Sequence, residues 1–124
     1  MKEQKTILHN YYFVNSKNTP VTLEVITGSV GQTSAIDAKI EGVLNIENAN
    51  GGISETTIGE NKSLQGRTLI ISCTITDTSR DTNYTELRVR LRGGVNFAEN
   101  QLFFTVENEG ESVNYQCIIH LVKP

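Results

Sequence analysis

The sequence predicts an all-β fold, a two-layer antiparallel β-sandwich of about seven to eight strands. Three observations carry that expectation. Apolar residues recur at every second position in several separate segments, Thr, Ser, Asn and Gly are abundant, and clusters of turn-forming residues punctuate the apolar runs. Alternation places the apolar side chains on one face of a pleated strand. The composition suits short strands joined by polar turns. A chain of 124 residues is the size of one domain, and at that length about two thirds of the unfolded surface can be buried. A core therefore needs no metal or disulfide to support it, and residues 1–124 are read as a single sandwich domain without linker or repeat. Both Ig-like and jelly-roll topologies are compatible with such a strand set.

Taken in order, residues 7–14 form a strand whose inward phase stays open, and Val21, Leu23 and Val25 form a shorter one between Pro20 and Gly28. Residues 34–50 carry two patterns. Ile36, Ile40, Val43 and Leu44 would line a helical face, with Ser34 and Asp37 resembling a capping box. The same stretch also alternates from Ile36 to Glu47 with only Val43 out of phase. Gly42 would weaken a helix by about 1 kcal/mol relative to Ala but serves as a bend or bulge in a strand, so the strand reading is preferred. The clearest strands follow: Leu69, Ile71, Cys73 and Ile75; Leu87, Val89 and Leu91; Leu102, Phe104 and Val106; and Val113, Tyr115, Cys117, Ile119 and Leu121. Turn chemistry falls at 28–31, 50–52, 77–83, 93–94 and 109–110.

The last three strands suggest a register. With Arg92 opposite Gln101, Leu91 meets Leu102, Val89 meets Phe104 and Leu87 meets Val106. With a turn at Glu109-Gly110, Val106 meets Val113 and Phe104 meets Tyr115, giving an antiparallel meander. Its outer face would collect Arg88, Arg90, Arg92, Phe103, Glu107, Gln116, Ile118, His120 and Val122. Within it, Arg88, Arg90, Arg92, Phe103, Gln116 and Ile118 are the candidate interaction surface, because aromatic, aliphatic and arginine side chains together match the composition of interface cores. Two competing readings are internal. The arginines would pair with Glu86 and Glu107 and stack on Phe103, or the segment from Tyr11 to Val14 would cover the face.

Catalytic and metal chemistry finds little support. Cys73 and Cys117 lie on apolar phases, as small buried hydrophobes do. Extending the meander with Ile75 opposite Leu87 sets them three strands apart, about 14 Å, so they are expected as free thiols. Two Cys and two distant His make no zinc cluster. Cys117 and His120 project to opposite strand faces, which prevents a base-activated thiol. There is no Gly-x-Ser-x-Gly elbow, phosphate loop or dinucleotide fingerprint, and no catalytic residue, metal ligand or cofactor is assigned. Residues 77, 79, 81 and 83 begin like a calcium loop, but Thr82 and Arg88 replace its Gly and bidentate Glu, so an ordinary turn is expected. Asn61-Lys62-Ser63 and Asn83-Tyr84-Thr85 fit glycosylation sequons.

The net charge of −3 supplies no field to gather nucleic acid. No signal peptide or membrane span is recognised, so the chain reads as soluble and cytoplasmic, a secreted form after leader removal being compatible. The leading functional reading is a non-catalytic protein-interaction or assembly subunit, binding a protein partner or itself. A carbohydrate- or small-ligand-binding module is the alternative, weakened by the absence of Trp. An enzyme using scattered carboxylates is third.

Overall fold

Alternating hydrophobicity decides the fold by giving each strand one face to bury, and two such sheets satisfy each other. In the computed structural model, residues 3–27, 32–77, 84–106 and 111–124 are described. The strands are β1 (Glu3–Phe13), β2 (Pro20–Thr27), β3 (Gln32–Ile40), β4 (Leu44–Asn50), β5 (Gly52–Glu60), β6 (Arg67–Asp77), β7 (Tyr84–Arg92), β8 (Ala98–Thr105) and β9 (Ser112–Val122), with one helical turn, α1 (Asn61–Leu64), after β5. They form a five-stranded sheet, β1-β9-β6-β3-β4, packed on a four-stranded sheet, β5-β2-β7-β8. The expected β-sandwich is present, with nine strands among the described residues. β1 runs parallel to β9 and every other pair is antiparallel.

The core lies between the sheets. Val21, Leu23, Val25, Leu87, Val89, Leu91 and Leu102 enter it from the four-stranded sheet, and Ile36, Ile40, Leu69, Ile71, Ile75, Val113, Tyr115, Ile119 and Leu121 from the other. Full burial of such side chains is worth about 1.5–3 kcal/mol each. Tyr115 also ties the layers together: its hydroxyl meets Thr85 Oγ1 at 2.5 Å, and that oxygen donates to the Phe104 carbonyl at 2.6 Å.

Residues 34–50 are strands, as preferred. They divide into β3 and β4 at a turn where Gly42 has φ +75° and the Val43 amide donates to the Ile40 carbonyl. Val43 breaks the alternation because it belongs to that turn. Strand β5 was not anticipated, for a visible reason. Its register against β2 shifts between Val21 and Thr22 and again between Leu23 and Val25, so its inward residues, Ile53 and Ile58, fall on opposite parities. A bulged strand has no period-2 signature to read.

Three pairing expectations are corrected. β7 does pair with β8, but Arg88 rather than Arg92 lies opposite Gln101, with Leu87 opposite Leu102 and Val89 opposite Asn100. The even displacement keeps every side chain on its expected face. The meander ends there, since β8 is an edge of the four-stranded sheet while β9 lies between β1 and β6 in the other. β6 and β7 are likewise in different sheets, so Ile75 pairs with Val113 and Ser34 instead of Leu87. Alternation gives each strand a phase but names no neighbour.

Asn61, part of a sequon, is fully buried. Its Nδ2 donates to the Thr19 carbonyl and hydroxyl and to the Gly93 carbonyl at 2.9, 3.0 and 2.8 Å, and its Oδ1 accepts the Asn15 amide at 3.1 Å. The amide therefore holds three chain segments together and is not presented to solvent. Close by, the Gly94 amide donates to Tyr12 Oη at 2.9 Å. A Cβ at Gly94 would lie 2.6 Å from the Phe13 carbonyl oxygen, so only glycine permits that approach.

Candidate functional site

The candidate interface residues fall on two surfaces that face away from each other. Arg88, Arg90, Arg92 and Phe103 lie on the outer face of the four-stranded sheet, whereas Gln116 and Ile118 lie on the outer face of the five-stranded sheet. The expected opposition of Arg90 and Phe103 is replaced by Arg90 opposite Glu99 and Phe103 opposite Glu86. The composite patch is thus not formed. Each half has its own surroundings.

On the four-stranded sheet the arginine row is interleaved with acids. Arg88 bonds Glu86 and lies 3.6 Å from Glu99. Arg90 Nε donates to Glu99 Oε2 at 2.8 Å, and Arg90 and Arg92 flank Glu24 at 3.5 and 3.3 Å. Glu55 lies 3.6 Å from Arg92 and accepts from Thr22 Oγ1 at 2.7 Å. The hydrogen bond that Arg88 donates to the Glu86 carboxylate raises the Arg88 pKa above its ordinary value. Tyr84 and Phe103 stack with centroids 6.3 Å apart, and Arg92 lies over the Phe97 ring at 5.0 Å. The pairing of an arginine with Glu86 is as anticipated; the aromatic stacked on Phe103 is Tyr84, and Glu107 lies outside the described residues. Carboxylates already occupy the positions a phosphate or sulfate would take.

The outer face of the five-stranded sheet has the opposite character. Strand β1, whose phase the sequence left open, turns Tyr12 and Val14 inward and presents Lys5, Ile7, His9, Tyr11 and Phe13. Registers with β9 and β6 set His9, Ile118 and Ile70 in one row, Tyr11, His120 and Thr68 in the next, and Phe13 beside Val122. Tyr11 is 63% exposed, Ile7 49% and Phe13 48%. The Tyr11 ring lies 5.4 Å from that of His120, whose Nδ1 is 3.3 Å from Thr68 Oγ1. Across these three strands, from Lys5 on β1, from Asn114 on β9 and from Thr68 on β6, no outward position is acidic. β1 flanks Ile118 within the sheet, so the segment that the competing reading laid over that face instead enlarges it.

A groove of about 540 Å³ borders this face, lined by Lys39, Glu41, Gly66, Arg67, Thr68 and Ile70. Arg67 donates to the carbonyls of Ser63 and Glu41, each at 3.0 Å. Lys5 marks the opposite end, beside Ser72, Thr74 and Asn114. No carboxylate among the described residues pairs with Lys5 or Arg67. Ile7, Tyr11, Phe13 and Ile70 were missed from sequence. For Ile70 and Ile118 the signal was present: each interrupts the polar phase of a strong strand, in Leu69-Ile70-Ile71 and Cys117-Ile118-Ile119.

Cys73 and Cys117 are free and buried, as expected. The reason differs. They lie on adjacent strands, Cys73 opposite Tyr115 and Cys117 opposite Ile71, on a diagonal of about 7–8 Å rather than three strands apart. A disulfide needs the Cα atoms within about 7 Å. Burial pushes both thiols up to about 12, so they remain protonated at neutral pH and are poor nucleophiles. No group of three or more His, Cys, Asp or Glu among the described residues is arranged to hold a metal. The calcium-like loop at 77–83 lies outside the described residues beyond its first position. No helix among the described residues is long and apolar enough to cross a membrane.

The fold and its surfaces define a two-sheet β-sandwich with one charge-neutralised outer face and, across β1 from Lys5 onward, β9 and β6 of the other sheet, an apolar outer surface without acids. Asp37 and the Lys39–Glu47 pair lie on the outer side of β3 and β4. Comparison with protein-family models, curated proteins and solved structures found no match.

Proposed function

We propose that this chain is a non-catalytic interaction and assembly subunit that docks a protein partner on the outer face of its five-stranded sheet. The supporting observation is the acid-free surface of Ile7, Tyr11, Phe13, Ile70 and Ile118, bounded by Lys5 and Arg67, which pair with no carboxylate among the described residues. Exposed aromatic and aliphatic side chains on one face, with charge confined to its margin, are the composition of an interface core with a polar rim. Such a face suits a partner with an apolar centre and carboxylates placed for Lys5 and Arg67. The arginine face is the weaker surface for this role, since its acids satisfy its own cations.

Site-specific photo-crosslinkers at Tyr11 and at Arg90, used in the source cell, compare the two faces directly. Crosslinks at position 11 should identify a protein that then binds the purified chain. Tyr11→Glu with Ile70→Glu should weaken that binding by about tenfold or more, while Phe103→Ala leaves it unchanged. Specific crosslinking at position 90 alone, or binding insensitive to the double variant, overturns the assignment.

A further inference from the structure

The hydrogen bonding of β1 adds a second kind of contact. β1 is an edge of its sheet, and its ladder to β9 uses the even residues, a pattern that Val14 extends by donating to the Val122 carbonyl at 2.9 Å. N–H and C=O of one residue point to the same side of a strand, so the odd residues direct theirs to the free edge. Towards the end of β1 that edge is closed by the protein itself. The Tyr11 amide donates to Asn10 Oδ1 at 2.8 Å, Asn10 Nδ2 donates to Asn100 Oδ1 at 2.6 Å, and the Phe13 carbonyl accepts from Val95. Among the described residues nothing pairs with the edge from Glu3 to His9.

The other edges are less open. Register shifts interrupt β4 and β5, and Asn10 crosses to β8 at Asn100. β1 has an unbroken register and no proline along its length, so it has neither the bulge nor the proline that commonly blunts an edge, and Lys5 is the one cation along its open run.

We infer that the chain self-associates through this open run, the β1 strands of two copies pairing antiparallel about a twofold axis at Thr6 and joining two five-stranded sheets into one. The open run selects its own register. Only odd residues can exchange hydrogen bonds across the new edge, and using all of Glu3 to His9 sets Glu3 opposite His9 and Lys5 opposite Ile7 of the second copy. Thr6 then meets Thr6 as a pair that exchanges no hydrogen bonds. Like charges are not opposed: Lys5 meets Ile7, whereas moving the axis to Lys5 would oppose two lysines. The end closed by Asn10 lies just outside the paired stretch. This contact uses the edge and leaves most of the proposed docking face free, so the two readings fail independently.

A crosslink reads the register. Opposed residues that exchange no hydrogen bonds have Cα atoms about 4.5 Å apart, within disulfide range, and Cys73 and Cys117 are buried. Thr6→Cys should therefore form a disulfide-linked dimer under mild oxidation, and Leu8→Cys, opposite Gln4, should not. Ile7→Pro removes an edge-facing amide without touching the ladder to β9. It should abolish both the crosslink and the dimer seen by sedimentation while the circular dichroism stays that of the folded sandwich. A wild-type chain that sediments only as a monomer, a dimer that survives Ile7→Pro, or equal crosslinking at positions 6 and 8 overturns the inference.

Discussion

The two sheets divide their chemistry in opposite ways. The four-stranded sheet buries aliphatic side chains and exposes a lattice of arginines and glutamates. The five-stranded sheet buries two thiols and a phenol, Cys73, Cys117 and Tyr115, and on its β1, β9 and β6 strands exposes isoleucines, aromatics, hydroxyls and amides, with the acids Asp37 and Glu47 on β3 and β4. Both meet water with the same pleated surface, so backbone geometry does not account for the contrast. A charged face that neutralises itself offers a partner little, because each new ion pair must displace one already made. An apolar face without acids gains from being covered. The comparison teaches that an arginine row in a sequence marks a binding surface only if the neighbouring strands leave it unpaired.

High pH should separate the sheets most strongly. Burial pushes Cys73, Cys117 and Tyr115 each up to about 12, from ordinary values of 9.0 for the thiols and 10.0 for the phenol. A folded pKa raised in this way means that the native state holds its protons longer than the unfolded chain. The associated stability is fully present below pH 9.0 and is lost as the pH rises towards about 12. Urea midpoints should accordingly be insensitive to these groups up to that threshold and fall steeply beyond it. Cys73→Ala with Cys117→Ala should flatten the fall. An equally steep fall in that double variant would place the alkaline weakness elsewhere.

Next in size is a charge reversal on the four-stranded sheet. Glu24→Lys would put a third cation against Arg90 and Arg92, and a loss of about 1–2 kcal/mol is expected at low salt. The loss should shrink in 1 M salt, where the screening length is about 3 Å. Chemical denaturation at two ionic strengths checks both statements. A cost independent of salt would mean that the carboxylate acts by packing.

The smallest effect should come from the other face. In the isolated chain at low concentration, Tyr11→Ser or Ile70→Thr should change stability by no more than about 0.5 kcal/mol, because neither side chain supports the core. A loss several times larger, without a change in association, would assign the apolar face to the fold.

What the sequence by itself determined is the phase of the strands that alternate without a break. Leu69 to Ile75, Leu87 to Leu91 and Val113 to Leu121 bury the residues that alternation selects, because a pleated strand has only two faces and one of them must leave water. It also marked Ile118 as apolar on an outward phase. Neighbours were decided only by the tertiary structure. The inward faces of both sheets carry the same pattern, so nothing local distinguishes a β8 that pairs with β9 from one that lies across the core from it. Arg90 and Ile118 were therefore legible as surface residues but not as residues on opposite sides of the molecule. β5 was illegible for a related reason: its bulges place Ile53 and Ile58 on opposite parities, and only the pairing with β2 reveals them as one inward face. The acid-free face exists because β1 adds in parallel to β9, a contact between opposite ends of the chain that no local pattern encodes.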